Sequence, residues 1–219
     1  MINNFSPNML KTFDECQQKF FFRYVQKFSV PQRAIMFEKG KKIHALANYY
    51  LKGENIEKMA NALNEDEKKV WEMLKSNDYF KSNVVNTEYN LSCKIDKYWV
   101  GGRLDAFMSD GQNYLILDYK TGNIPQNAQQ DFQTIVYLLC ADRFLSKKGG
   151  YSSLKFVYLG LKNDEEKEIT LTPDLKNQYE QKIAETCEKI NFSVSANVFH
   201  KSKEGCKFCE YRKICNRGE

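Results

Sequence analysis

The 219-residue chain is 42% hydrophobic and 14% aromatic with only 4 Pro and 11 Gly, which excludes collagen-like, low-complexity and largely disordered polypeptides and leaves a packed globular protein. Its 33 basic and 28 acidic residues give a net charge of +5, compatible with nucleic acid but no argument for it. Seven cysteines is an odd number, no apolar leader precedes Cys16, and no apolar run approaches the ~20 residues of a spanning helix, so the expectation is a cytoplasmic protein with neither a disulfide framework nor a membrane association.

In chain order, Ser6-Pro7 reads as a helix start, and Leu10, Phe13, Phe20, Phe21 and Tyr24 continue it at helical spacing as a buried face. A second helix is expected from Ala34 to Leu51, ended by Gly53, and a third, amphipathic, from Ile56 to Leu74. From Asn83 the pattern alternates. Val84–Ile95, Tyr98–Met108 and Asn113–Lys120 form a three-stranded meander broken by Asp96-Lys97 and by Ser109-Asp110-Gly111-Gln112. A helix over Gln126–Leu145, a strand over Ser153–Leu161 with Glu168–Leu171 as its partner, and a helix over Pro173–Ile190 opened by Thr172 follow. The whole predicts one α/β domain with a mixed central sheet flanked by helices, divided into a helical part (1–82), a core (83–192) and a cysteine-bearing tail (193–219).

The chemistry concentrates in Gly102-Arg103-Leu104-Asp105 and Asp118-Tyr119-Lys120-Thr121-Gly122. Side chains alternate along a strand, so Asp118 and Lys120 share a face and a neighbouring strand can bring Asp105 beside them. Carboxylates at strand ends among apolar neighbours are costly as bare anions, a cost that a divalent cation removes, and a lysine on the same face can position water and neutralise a phosphate. On residue types alone, an ordinary Asp–Lys ion pair is an equal alternative. The two segments resemble those of the PD-(D/E)XK nuclease superfamily, more narrowly its RecB/AddB-like exonuclease branch with an iron-sulfur cluster, the branch that includes CRISPR-adaptation nucleases. The resemblance extends to His44 on an upstream helix and to Gln133-x-x-x-Tyr137 on the helix after the lysine strand; no proline precedes Asp105.

The resemblance implies a restriction-endonuclease-like core and Asp105, Asp118 and Lys120 as catalytic residues. It implies that Mg²⁺ or Mn²⁺ is held by His44, Asp105, Asp118 and the main-chain carbonyl of Tyr119, with Gln133 and Tyr137 contacting DNA. Glu88 is a weaker addition to the site. At the C-terminus, Cys206-x-x-Cys209-x₅-Cys215 has metal-ligand spacing but lacks a fourth ligand locally. The resemblance supplies Cys16 as the fourth and implies a [4Fe-4S] cluster, with zinc as the alternative, although Gln17 stands where the family has proline after that cysteine. Cys93, Cys140 and Cys187 are expected as core thiols, and His200 has no matching partner. The implied activity is a metal-dependent nuclease, an exonuclease on single-stranded or end-bearing DNA. Any ATP-driven unwinding falls to a helicase partner, because no phosphate-binding loop is present; a CRISPR-adaptation protein is the other expected partner. The competing reading is a catalytically silent DNA-binding or assembly module in which the cluster or zinc is scaffold.

Overall fold

The computed structural model describes residues 1–30, 34–202 and 205–215, with side chains over the same ranges except 34–39. A short strand β1 (Asn4–Phe5) leads into α1 (Pro7–Glu15), whose first turn is closed by the Ser6 hydroxyl accepting from Met9 N–H. The single expected helix is interrupted at Cys16, which is extended at φ −166° and ψ 110° and separates α1 from α2 (Gln17–Phe20); a π turn over Phe21–Val25 follows. Next come α3 (Ala34–Leu51), α4 (Glu57–Asn61) and α5 (Glu65–Ser76). The expected Ile56–Leu74 helix is thus two helices. Asn64 and Glu67 explain the break, because each accepts the other's backbone N–H in a capping box that starts a new helix at Glu65.

The sheet consists of β1, β2 (Asn83–Ile95), β3 (Tyr98–Asp110), β4 (Asn113–Lys120), β5 (Ser153–Gly160) and β6 (Glu165–Thr170). Strand β6 lies slightly earlier than its expected span, and β1, only two residues long, was too short to leave a pattern. The six strands form one mixed sheet ordered β1-β3-β4-β5-β6, with β2 along the other edge of β3. The pairs β1–β3 and β4–β5 are parallel and the rest antiparallel. Between β4 and β5 the chain crosses over through α6 (Phe132–Ser146), and α7 (Pro173–Ala196) follows β6. No helix among the described residues is long and apolar enough to cross a membrane.

Alternation divides the core between the two faces. Phe107, Ile116, Phe156 and Tyr158 pack with α1, α6 and α7 on one side. Ala106, Met108, Leu117, Tyr119, Val157 and Leu159 pack with Ile43 and Leu46 of α3 and Trp71 and Leu74 of α5 on the other. One place breaks the rule. Leu104 faces the α6 side while Ala106 faces the α3 side, and on the partner strand Tyr89 packs towards Phe144 of α6 while Thr87 Oγ1 meets Asn48 Oδ1 of α3 at 2.6 Å. Residues two apart should share a face. Glu88, between Thr87 and Tyr89, has φ +47°, a left-handed conformation that turns the strand over.

A second irregularity lies on the other edge of β3. There β1 pairs with Trp99 and Val100 and β4 with Ala106 to Asp110, leaving 101–105 without a strand partner. Helix α6 fills the gap. The Tyr137 hydroxyl donates to Arg103 O at 2.7 Å, and a Cβ placed on Gly102 would stand 2.9 Å from that hydroxyl. Gly102→Ala is therefore expected to push Tyr137 away and uncover the Arg103 carbonyl, costing about 1–3 kcal/mol as overpacking. Urea titration should show this as a lower midpoint with an unchanged slope.

Candidate active site at the fork of the sheet

Leu117, opposite Ala106, is the last β4 residue paired with β3; Asp118, Tyr119 and Lys120 run on beside β5 alone, opposite Tyr158, Leu159 and Gly160. The two strands therefore part at this point, and the carboxylates sit in the fork. The Tyr119 N–H donates across it to Asp105 Oδ2 at 3.3 Å. The Tyr119 ring turns into the α3-side core, so only its backbone faces the site.

Asp118 is 2% exposed. Its Oδ1 accepts from Gln133 Nε2 and, at 3.0 Å, from Lys120 Nζ. Its Oδ2 lies 2.8 Å from the same ammonium but out of line, and accepts no hydrogen bond. Burial is the largest influence on this carboxyl, reinforced by the negative charge of Asp105, and together they push its pKa up to about 6 against the pull of Lys120. Lys120 shows the converse balance: burial would lower it, but Asp118 and Asp105 hold it above the ordinary lysine value, so it is a cation. Gln133 Oε1 accepts from Lys120 Nζ at 2.9 Å, which makes Gln133 a two-handed clamp on both members of the pair. The clamp is placed by the start of α6, where Asp131 caps Gln133 N–H at 2.9 Å and is itself held by Lys11 at 2.7 Å.

From the opposite side α3 presents His44, whose Nδ1 stands 3.2 Å from Asp105 Oδ1 and whose ring packs on Tyr119 at 4.7 Å between centroids. Burial alone would depress this imidazole, but the hydrogen bond and charge of Asp105, with a contribution from Asp118, raise it above its ordinary value. Glu88 completes the group. One ligand atom each from His44, Glu88 and Asp105 lie within 4.8 Å of one another, and Arg103 Nε holds Glu88 Oε2 at 2.8 Å. The strand inversion at Glu88 thus occurs where two carboxylates converge on a histidine. The site opens into a cleft of about 830 Å³ walled by Lys41, His44, Ala45, Asn48 and Tyr49 of α3 and by Glu88, Arg103, Asp105 and Thr121.

The expected residues fall into two groups. His44, Asp105, Asp118, Lys120 and Gln133, with the Tyr119 backbone, meet at the fork. Tyr137 stands apart from them: it is 6% exposed and its hydroxyl donates to Arg103 O, so it braces α6 against β3. The gap in β3 that this side chain fills is something sequence spacing cannot show. Lys41, Asn48 and Tyr49 also line the cleft and were not singled out; the signal for Lys41 and Asn48 is their i−3 and i+4 spacing to His44, and Tyr49 follows Ala45 by four.

A second pocket, sharing no lining residue with the cleft, gathers cysteines. Cys16, Cys206, Cys209 and Cys215 line one small pocket together with Lys19, Phe22, Lys201, Ser202, Tyr211 and Arg212. The chain after α7, turned by left-handed Asn197, is stitched back onto the first helices. Gln18 N–H donates to His200 O at 3.1 Å, Gln17 Oε1 accepts from His200 N–H at 3.0 Å, and Tyr211 OH donates to Phe28 O at 3.1 Å. Gln17, at the first position of α2 where proline would also fit, thereby supplies a tail contact that proline could not. The seven cysteines form no disulfide among the described residues; Cys206 Sγ donates to Ser202 O at 3.1 Å, and Cys93, Cys140 and Cys187 are buried in the core.

A two-faced α/β sheet whose parted strands carry buried acidic groups and a clamped lysine is the architecture of a nuclease. The chain belongs to the PD-(D/E)XK nuclease superfamily, whose sequence profile matches residues 4–216. Over 151 residues, 68% of this chain and 74% of the relative, it is 25% identical to the CRISPR-associated exonuclease Cas4 of Francisella tularensis subsp. novicida (strain U112). In fold it resembles the crystal structure of a candidate exonuclease from Eubacterium rectale, with a TM-score of 0.62 over 95% of this chain and 88% of that one. Identity in that pair is 8%, so it speaks for the fold alone.

Proposed function

We propose that the protein is a divalent-metal-dependent deoxyribonuclease that degrades single-stranded or end-bearing DNA as an exonuclease. The observation that carries the reading is Asp118: an enclosed carboxylate with one oxygen that accepts no hydrogen bond, its pKa pushed up by burial and by the charge of Asp105 even though Lys120 stands beside it. Such a group, beside Asp105 and His44, is a donor set suited to a small divalent cation. His44, Asp105, Asp118 and the Tyr119 carbonyl would hold Mg²⁺ or Mn²⁺, the imidazole favouring Mn²⁺, with Glu88 close enough to join them. Bound there, the cation supplies Lewis-acid activation of the phosphate and of water. The protein's own contribution is positioning. Lys120, fixed by Asp118 and Gln133, orients the attacking water and offsets charge developing on the phosphate as the water oxygen bonds to phosphorus and the P–O ester bond breaks. Glu88 and Asp105, facing the cleft, keep other anions out until a cation neutralises them.

Four thiolates around one pocket suit a [4Fe-4S] cluster or, as the alternative, zinc. We infer the cluster, as a structural fastener of the Cys16 helices to the cysteine tail. The likeness to a CRISPR-associated exonuclease supports a role beside CRISPR-adaptation proteins, and a helicase subunit is the other partner considered. Incubation with end-labelled single-stranded DNA tests the activity: products are expected with Mn²⁺ or Mg²⁺ and none with a chelator. Binding without cleavage of any DNA or RNA, with either ion, would establish instead a silent DNA-binding module.

A further inference from the structure

We propose that Tyr49 is a base-stacking platform that holds the nucleotide next to the scissile phosphate, so that the cleft selects single-stranded DNA through α3. The inference rests on the nuclease reading above and adds the subsite. Along α3, Lys41, Ala45 and Tyr49 recur every four residues as one row, while His44 and Asn48 form the next row, and both rows line the cleft. The two tyrosines at the end of the helix differ. Tyr50, though 43% exposed, has its ring engaged, stacked on Phe80 and edge-on to Trp71. Tyr49 is 39% exposed, lines the cleft, and has no ring–ring contact among the described residues. An aromatic ring left free on the wall of a cleft whose floor holds the reacting groups offers its face to a flat apolar ligand.

The placement fits a strand of nucleic acid. Tyr49 lies five residues beyond His44, about 7.5 Å along the helix axis, on the order of one nucleotide of extended backbone. Lys41 lies on the opposite side of His44, and Arg103 stands 64% exposed across the cleft, so cations flank the path on which the phosphates would run. Ala45, between Lys41 and Tyr49, leaves room for a sugar and base. Helix α3 cannot shift freely at this end, because Asn48 is bonded to Thr87 of β2, so the ring is carried on a fixed support. A paired base cannot leave its stack to meet such a ring without breaking its pairing, whereas every unpaired base has a free face.

The test uses the full chain and single-stranded oligonucleotides in which one abasic nucleotide is walked through the sequence, with binding followed by fluorescence anisotropy in Ca²⁺ and cleavage in Mn²⁺. In the unmodified protein one abasic position is expected to weaken binding about 10-fold, the loss of one stacked base. Tyr49→Ala should weaken binding to the intact strand by the same factor and abolish the penalty at that position only, while Tyr49→Phe retains both. A penalty that persists in Tyr49→Ala, or a Tyr49→Ala variant that binds as tightly as the parent, overturns the platform. If the parent fails to cleave but the Tyr49–abasic coupling is present, the platform stands and the nuclease reading falls. Duplex bound as tightly as single strand also overturns the proposed selectivity.

Discussion

Lys120→Met is expected to lower the cleavage rate about 10³-fold, in the range for losing one positioned charged group at a reacting centre, while DNA binding changes little. The separation follows from geometry. The ammonium is directed inward to Asp118 and Gln133, whereas Lys41 and Arg103, on the cleft wall, carry the contacts that phosphates would meet. Methionine keeps the aliphatic length, so the loss is one of charge rather than of packing. It leaves Asp118 buried beside Asp105 without its cation. Removing one member of a buried pair can cost ~3–5 kcal/mol, but here the carboxyl already titrates near 6 and can take up a proton instead. The expected melting temperature is therefore only modestly lower at neutral pH, with the deficit growing as pH rises because the unpaired carboxylate must then be ionised or hold its proton against the solvent. Single-turnover cleavage in Mn²⁺, paired with anisotropy in Ca²⁺, checks the result; equal rates for parent and variant would refute the role of Lys120.

With the proposed [4Fe-4S] cluster, anaerobically purified protein is expected to be brown, and Cys16→Ser to bleach it and lower its stability by about 3–5 kcal/mol, the scale for opening a long loop closed by a cross-link. Cys16 and Cys206 enclose nearly the whole chain between them, so the fastener restricts the unfolded ensemble more than any local contact does. Cys187→Ala, a change to a buried core thiol on α7 that does not line the cysteine pocket, should leave the absorption spectrum intact. Visible absorption with iron and sulfide assay of both variants, beside guanidinium titration, distinguishes the two effects. Colourless parent protein with stoichiometric zinc would replace the cluster by the alternative metal.

Local order was legible in the sequence where it depends on neighbours along the chain. Asp118 and Lys120 share a face because side chains alternate, and Ser6-Pro7 and Thr172-Pro173 start helices because of their caps. His44 and Gln133 were placed by resemblance, and the fold brings both to the fork. What escaped depends on pieces that are distant in sequence. The gap between β1 and β4 that draws in Tyr137 exists only once the sheet is assembled. The inversion at Glu88 breaks a pattern that period-two reasoning assumes, and glutamate gives no sign of it, since left-handed backbone is ordinarily the province of glycine or asparagine. The break at Cys16 is similar: its neighbours continue a helical pattern on both sides, and only the backbone of Cys16 itself departs from it.

The folding-back of the tail has a consequence for synthesis. Helices α1 and α2 leave the ribosome well before the tail residues that cover their Cys16 end, His200 and Tyr211 among them. During translation the first helices must therefore wait, with Phe21 and Phe22 lacking the Phe199 and Tyr211 rings they finally pack against. The seam closes only after every strand of the sheet has been made, so a ribosome that stalls between α7 and the tail cysteines leaves a nearly complete sheet with an open seam, a natural substrate for chaperones and proteases.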